Sequence, residues 1–203
     1  MQEDTKKIIA AFDFDGTISY RDTLTSFLFF TSGYLRSTLY LTIELPYLLG
    51  FLIGWIPRQT AKERILSRFF KGKSINEMQS FGEAFAKESL PKHIRPEALK
   101  RIRWHQNQGH SCFLISASID TYLVPWATSV GFQSVLSSTL ETNAEGKITG
   151  KLSGLNCWGP EKVRRLEELI GSRTSKTIYA YGDSRGDKEL LDYSDHAFYQ
   201  TME

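Results

Sequence analysis

The chain of 203 residues reads as an α/β protein, a doubly wound parallel sheet carrying an all-helical insertion after its first strand. Three observations predict this. Short continuous apolar runs recur, as expected of strands covered by helices on both faces. Helical patterns alternate with these runs through the C-terminal half. A stretch of some 75 residues after the first run shows helical patterns and no strand rhythm, far more than the single helix an ordinary crossover needs.

Ile8-Ile9-Ala10-Ala11-Phe12 is the first run and ends at Asp13. Residues 112–115, 134–136 and 177–181 read the same way, with 197–199 a weaker fifth strand. Helices are expected over 95–108, 119–130, 160–170 and 186–193. Residues 139–155 break the rhythm and look like a β-hairpin turning near Glu145-Gly146. The insertion, 19–93, divides into helical stretches at about 22–32, 34–56, 59–71 and 74–89. Residues 1–18 and 94–203 would then form the core. Ligands of open α/β sheets bind beyond the carboxyl ends of the strands, so an insertion there would cover the mouth as a cap.

Composition narrows the function classes. Hydrophobic residues are 41% and charged residues 24%, an ordinary globular balance. A formal charge of +2 is too even for a protein that coats nucleic acid, so no nucleic-acid partner is expected. Cys112 and Cys157 form no C-x-x-C pair, and the four histidines have no zinc-site spacing. Residues 1–7 are polar and the following apolar run stops at Asp13, so no signal peptide is read and a cytoplasmic location is expected.

The informative residues sit at strand ends. Asp13-Phe14-Asp15-Gly16-Thr17 sends two carboxylates out of a buried strand, an arrangement that repels itself unless a cation intervenes. A hard, oxygen-seeking Mg²⁺ is the natural candidate. A calcium loop fails, because aligning Gly16 with that loop's glycine puts Ala11 where the first acidic ligand belongs. Asp183 follows a second apolar strand end and Asp187 stands four positions on, so Asp13, Asp15, Asp183 and Asp187 can converge. Lys162, in the first turn after Gly159-Pro160, opposes the helix dipole, which an anion held beside it would explain; a plain solvated lysine is the alternative. Ser116-Ala117-Ser118 closes another strand before a helix, a phosphate-holding arrangement or a plain N-cap. Asp22 reads equally as a helix N-cap.

In this order the four elements resemble the haloacid dehalogenase-like superfamily, in its phosphatase majority, over residues 6–20 and 95–200. The resemblance implies that Asp13 is a nucleophile forming an aspartyl-phosphate and that Asp15 is the acid and base. It implies Mg²⁺ held by Asp13, the Asp15 carbonyl and Asp183, with Asp187 positioning the site. Ser116, Ala117, Lys162 and Thr17 would bind the phosphoryl group. The dehalogenase branch fits poorly, since halide displacement needs neither a metal nor a leaving-group acid.

The helical cap looks like that of the phosphoserine-phosphatase-like subgroup. Asp22 stands where phosphoserine phosphatase has a substrate-binding glutamate, Ser116-Ala117 replaces Ser-Gly-Gly, and Ser184-Arg185-Gly186-Asp187 replaces G-A-N-D, so phosphoserine is doubtful. Residues 39–56 carry one charge, Glu44, and the cap holds ten basic and six acidic residues, net +4. That stretch is either a packed cap helix or a hairpin broken near Pro46, resting on the inner membrane face through Leu48, Phe51 and Trp55. The D-x-D-G-T-x-x-x-x-D start, Asp13 to Asp22, and the greasy cap also resemble those of bacterial phosphatidylglycerophosphate phosphatases. Expected, then, is a Mg²⁺-dependent phosphomonoesterase acting on a small phosphorylated metabolite or a lipid headgroup. A phosphotransferase and a non-catalytic binding module are the alternatives.

Overall fold

The computed structural model describes residues 7–203; residues 1–6, which bear on the signal-peptide reading, lie outside the described residues. Five strands form one parallel sheet: β1 (Lys7–Phe12), β2 (Ser111–Ile119), β3 (Ser134–Ser138), β6 (Lys176–Gly182) and β7 (His196–Tyr199), in the order β3-β2-β1-β6-β7. The antiparallel pair β4 (Leu140–Thr142) and β5 (Ile148–Leu152) stands apart as the expected hairpin.

The apolar run of β1 is central because both of its faces are covered. Ala10 and Phe12 enter one cluster with Ile102 of α5 (Pro96–Asn107) and Trp126 of α6 (Asp120–Val130). Ile9 and Ala11 enter the other, with Leu166 of α7 (Pro160–Ile170) and Leu190 of α8 (Lys188–Tyr193). This alternation is the strand period of two realised with apolar residues on both sides.

Four helices occupy the long connection: α1 (Thr23–Ser32), α2 (Tyr34–Leu52), α3 (Arg58–Phe70) and α4 (Ile75–Glu88). Three of them join the core. Phe27 of α1, Phe70 of α3 and Phe85 of α4 gather with Tyr122 of α6, at ring-centroid distances of 4.9–5.7 Å. At the α4–α6 crossing a Cβ on Gly82 would lie 1.9 Å from the Thr121 carbonyl oxygen, so only glycine fits. The hairpin clamps α3 and the start of α4 from the other side, with Gly72 N–H to Ile148 O (2.9 Å) and Ile75 N–H to Gly146 O (3.0 Å).

α2 is the exception. Its buried residues are Ser37, Glu44 and Gly50, and none of its large apolar side chains is fully buried. Glu44 reaches α3, accepting from Arg64 Nε and Arg68 Nε at 2.8 Å each. The helix continues through Pro46 and ends at Leu52, so the alternative of a hairpin broken near Pro46 does not hold and the extension to residue 56 is corrected. A proline removes one intrahelical bond, and here the turns on either side carry the helix past it.

Two further boundaries differ from expectation. Strand β2 runs on to Ile119 through a register shift, and the C-terminal helix splits into a 3₁₀ turn, Arg185–Asp187, followed by α8.

Candidate active site

Parallel strands deliver their carboxyl ends to one side, and β1, β2 and β6 each bring a functional segment there. Asp13 leaves β1 and is buried. Asp183 follows β6, and Asp187 lies in the 3₁₀ turn beyond it. Carboxylate oxygens of Asp13, Asp183 and Asp187 all lie within 4.8 Å of one another. Gly16, at φ +83°, lets the β1 loop pass this cluster: a Cβ there would fall 2.2 Å from Asp183 Oδ2.

Lys162 stands among these acids. Its side chain is 2% exposed, and Nζ donates to Asp13 Oδ1 and to Asp187 Oδ1 at 2.5 Å each. The lysine in the first turn of α7 is therefore no solvated charge, and carboxylates are the anions beside it. Burial works against its charge, but Asp13 and Asp187 outweigh burial and hold its pKa above the ordinary lysine range. Burial pushes the Asp13 carboxyl up to about 8 against the pull of Lys162. Burial also raises Asp183; burial is the largest single influence on Asp187 too, but the Lys162 charge and the hydrogen bonds from Lys162 and Ser184 together outweigh it and hold Asp187 below the usual range. Three converging carboxylates share one lysine, which leaves uncompensated negative charge among oxygen donors. That set fits a hard divalent cation such as Mg²⁺ and offers no nitrogen or sulfur to a softer metal.

Thr17, expected to contact phosphate, gives its hydroxyl to Asp13 Oδ2 (3.2 Å) and Asp183 Oδ1 (3.0 Å) instead. Asp15, placed by sequence among the metal-binding carboxylates, turns its side chain away from the acidic cluster. Its Oδ1 accepts the Thr23 backbone N–H at 2.7 Å and the Thr23 hydroxyl at 2.6 Å, and Oδ2 accepts from Ser118 Oγ. Burial first, then the nearby Asp22 charge, pushes its carboxyl up to about 6. A carboxyl poised there can carry a proton near neutral pH.

Ser116 and Ala117, at the end of β2, line the same cavity as Asp13 and Lys162. Asp22 lines it as well and caps α1, accepting from Thr25 N at 2.8 Å. The cavity has a volume of about 1070 Å³. Its far wall is apolar, built by Leu41, Leu45, Leu48 and Phe51 of α2 with Ile65 of α3.

Sequence reasoning missed Thr23, Asn156 and Lys62, and read Ser118 within a phosphate-holding or capping segment rather than as a partner of Asp15. Lys62 reaches from α3 to the Ala117 carbonyl and to Asn156 Oδ1 (2.9 Å), and burial pushes its ammonium down to about 8. In sequence it was one of a run of basic cap residues, and nothing local separates it from Arg58 or Arg64.

The family model for haloacid dehalogenase-like hydrolases matches residues 10–192. Protein CicA of Caulobacter vibrioides is 32% identical over 195 residues, spanning 96% of this chain and 86% of that protein. A histidinol-phosphatase of Neisseria meningitidis is 27% identical over 124 residues, 58% of this chain and 55% of that one. The solved phospho-aspartyl intermediate analogue of phosphoserine phosphatase shares the fold at a TM-score of 0.60 and 17% identity, with 93% of this chain and 84% of that chain covered.

Proposed function

Because the chain belongs to the haloacid dehalogenase-like hydrolases, we propose that it hydrolyses phosphate monoesters through a phosphoryl group carried on Asp13. The observation that carries this reading is the division of labour between two buried carboxylates two residues apart. Asp13 is gathered with Lys162 and the acidic cluster, and Asp15 is held apart by Thr23 and Ser118. Kinship with a histidinol-phosphatase over part of the chain supports it.

An Asp13 oxygen attacks phosphorus, the ester P–O bond breaks, and Asp15 gives its proton to the departing alkoxide. Asp15, now a carboxylate, takes a proton from water as that water attacks phosphorus. Inorganic phosphate leaves and Asp13 is regenerated. Lys162, Ser116 and the backbone at Ala117 hold the phosphoryl oxygens and offset their growing charge. Asp13 and Asp183, with the Asp15 backbone carbonyl, would hold Mg²⁺, and Asp187 would fix Lys162 and the turn beside them. When bound, Mg²⁺ supplies charge neutralisation at the phosphoryl oxygens and favours the ionised form of Asp13.

The apolar wall of the cavity favours a phosphate carried on a lipid-like alcohol over a small polar metabolite. The test is phosphate release from a panel pairing small phosphomonoesters with short-chain lipid phosphates, in Mg²⁺ and in EDTA, with Asp13→Asn alongside. Release that needs Mg²⁺, vanishes in Asp13→Asn and favours the lipid set is expected. Release that survives in Asp13→Asn would overturn the nucleophile, and preference for small polar esters would overturn the substrate class.

A further inference from the structure

We propose that α2 is a membrane-docking helix, lying in the headgroup plane of an anionic bilayer and placing the cavity mouth against the lipid surface. The helix has two apolar faces. Leu41, Leu45, Leu48 and Phe51 line the cavity. Leu35, Leu39, Ile43, Leu49, Leu52 and Ile53 do not line it and are exposed, as is Trp55 just past the helix end. Leu35 is 86% exposed, Leu52 74% and Trp55 82%. A row of large apolar groups on one short segment is far more than the scattered single residues normal on a protein surface.

No helix among the described residues is long and apolar enough to cross a membrane, and the described residues leave this row exposed. Charge selects what covers it. Residues 34–73, which hold α2 and the α3 helix it leans on, contain seven basic and two acidic residues. Both acids are occupied: Glu44 is buried between Arg64 and Arg68, and Glu63 accepts from Gln59 and from the Leu152 backbone. Arg36, Arg58, Arg64, Arg68 and Lys71 are exposed on or beside these two helices, Arg58 at the cavity and Arg64 and Arg68 paired with Glu44. A second copy of this surface would bring like charges together. Anionic headgroups complement it. A tryptophan at one end of an in-plane helix is also the residue that seats best at headgroup level.

This geometry corrects the sequence reading in one respect. Leu48 and Phe51 face the cavity, so of the three residues expected to meet the membrane only Trp55 is on the outer face.

The docking stands apart from the reaction, because it is read by sedimentation and would hold for a chain with no phosphatase activity. Wild-type protein and the triple variant L35E/L52E/W55E, none of whose substituted residues lines the cavity, would be spun with phosphatidylcholine vesicles and with vesicles also containing phosphatidylglycerol. The wild type is expected to bind the anionic vesicles at least about tenfold more tightly than the neutral ones. The triple variant is expected to lose about a hundredfold in partitioning, while keeping its circular dichroism and its rate on a soluble phosphate ester. Absence of wild-type binding, or equal binding by the variant, would overturn the proposal. So would a wild-type dimer that ignores vesicles and becomes monomeric in the variant, which would assign the row to a second copy.

Discussion

Replacing Thr23 by valine removes a hydroxyl of nearly the same size and tests whether Asp15 is the proton donor. Thr23 Oγ1 donates to Asp15 Oδ1 at 2.6 Å and, with that proton committed, accepts from Tyr122 OH at 3.1 Å. The Thr23 backbone N–H, at 2.7 Å, and Ser118 remain on Asp15 in the variant. A hydrogen bond to a charged group contributes about 2 kcal/mol, which corresponds to roughly thirtyfold in kcat if all of it serves to aim the carboxyl. The assay compares two phosphate esters of matched size in Mg²⁺. An alkyl ester needs a proton on its leaving oxygen, and p-nitrophenyl phosphate leaves as a stable phenolate. Thr23→Val should slow the alkyl ester about thirtyfold and the nitrophenyl ester by less than about threefold, with KM for both nearly unchanged. Equal losses on the two esters, or none on either, would refute the argument that Thr23 positions the acid.

Gly82→Ala should wedge α4 from α6, since its Cβ would stand 1.9 Å from the Thr121 carbonyl oxygen. Overpacking there should cost about 2–3 kcal/mol and lower Tm by roughly 4–12 °C; an unchanged melting curve by circular dichroism would show the contact relaxes freely. His105 should make stability depend on pH. Arg101 Nε donates to Tyr181 OH (2.7 Å), so Tyr181 donates to His105 Nε2 (2.8 Å) and His105 Nδ1–H to His110 Nδ1 (2.7 Å), which leaves a neutral ring whose pKa burial pushes down to about 3. The unfolded chain binds that proton below pH about 6.5, so this contribution is complete above that pH and declines toward pH 3. Denaturant titrations of His105→Gln should therefore show a shallower pH slope across this window, and an identical slope would count against the network.

Much of the fold was legible because its signals are local. The runs at β1, β2, β3 and β6 are apolar on both faces, and even the weak segment at residues 197–199 is β7, paired with β6 from Tyr179↔His196 onward. The acidic residues were legible because Asp13 and Asp183 stand directly after such runs, with Asp15 and Asp187 two and four positions further on. The partners of Asp15 were not. Thr23 looks like a helix start, only eight residues from Asp15, and Ser118 like a strand-end serine that matters only because the fold closes the 103 residues between it and Asp15. Lys62 was hidden for the same reason, being 55 residues from the carbonyl it contacts. The orientation of α2 was hidden differently. Its sequence is apolar all round, so no periodicity separates the wall of the cavity from the outer row.

The central position of β1 has a consequence for how the protein is made. Its two neighbours are β2, reached at Ser111, and β6, reached at Lys176. During synthesis the strand that carries Asp13 therefore emerges first and waits through the whole greasy insertion before either edge can be paired. Such long-range closure is slow and leaves unpaired edges open to wrong partners. The reaction centre is consequently among the last parts to assemble, and a chain stalled before β6 would hold Asp13 with no Asp183, no Asp187 and one bare strand edge.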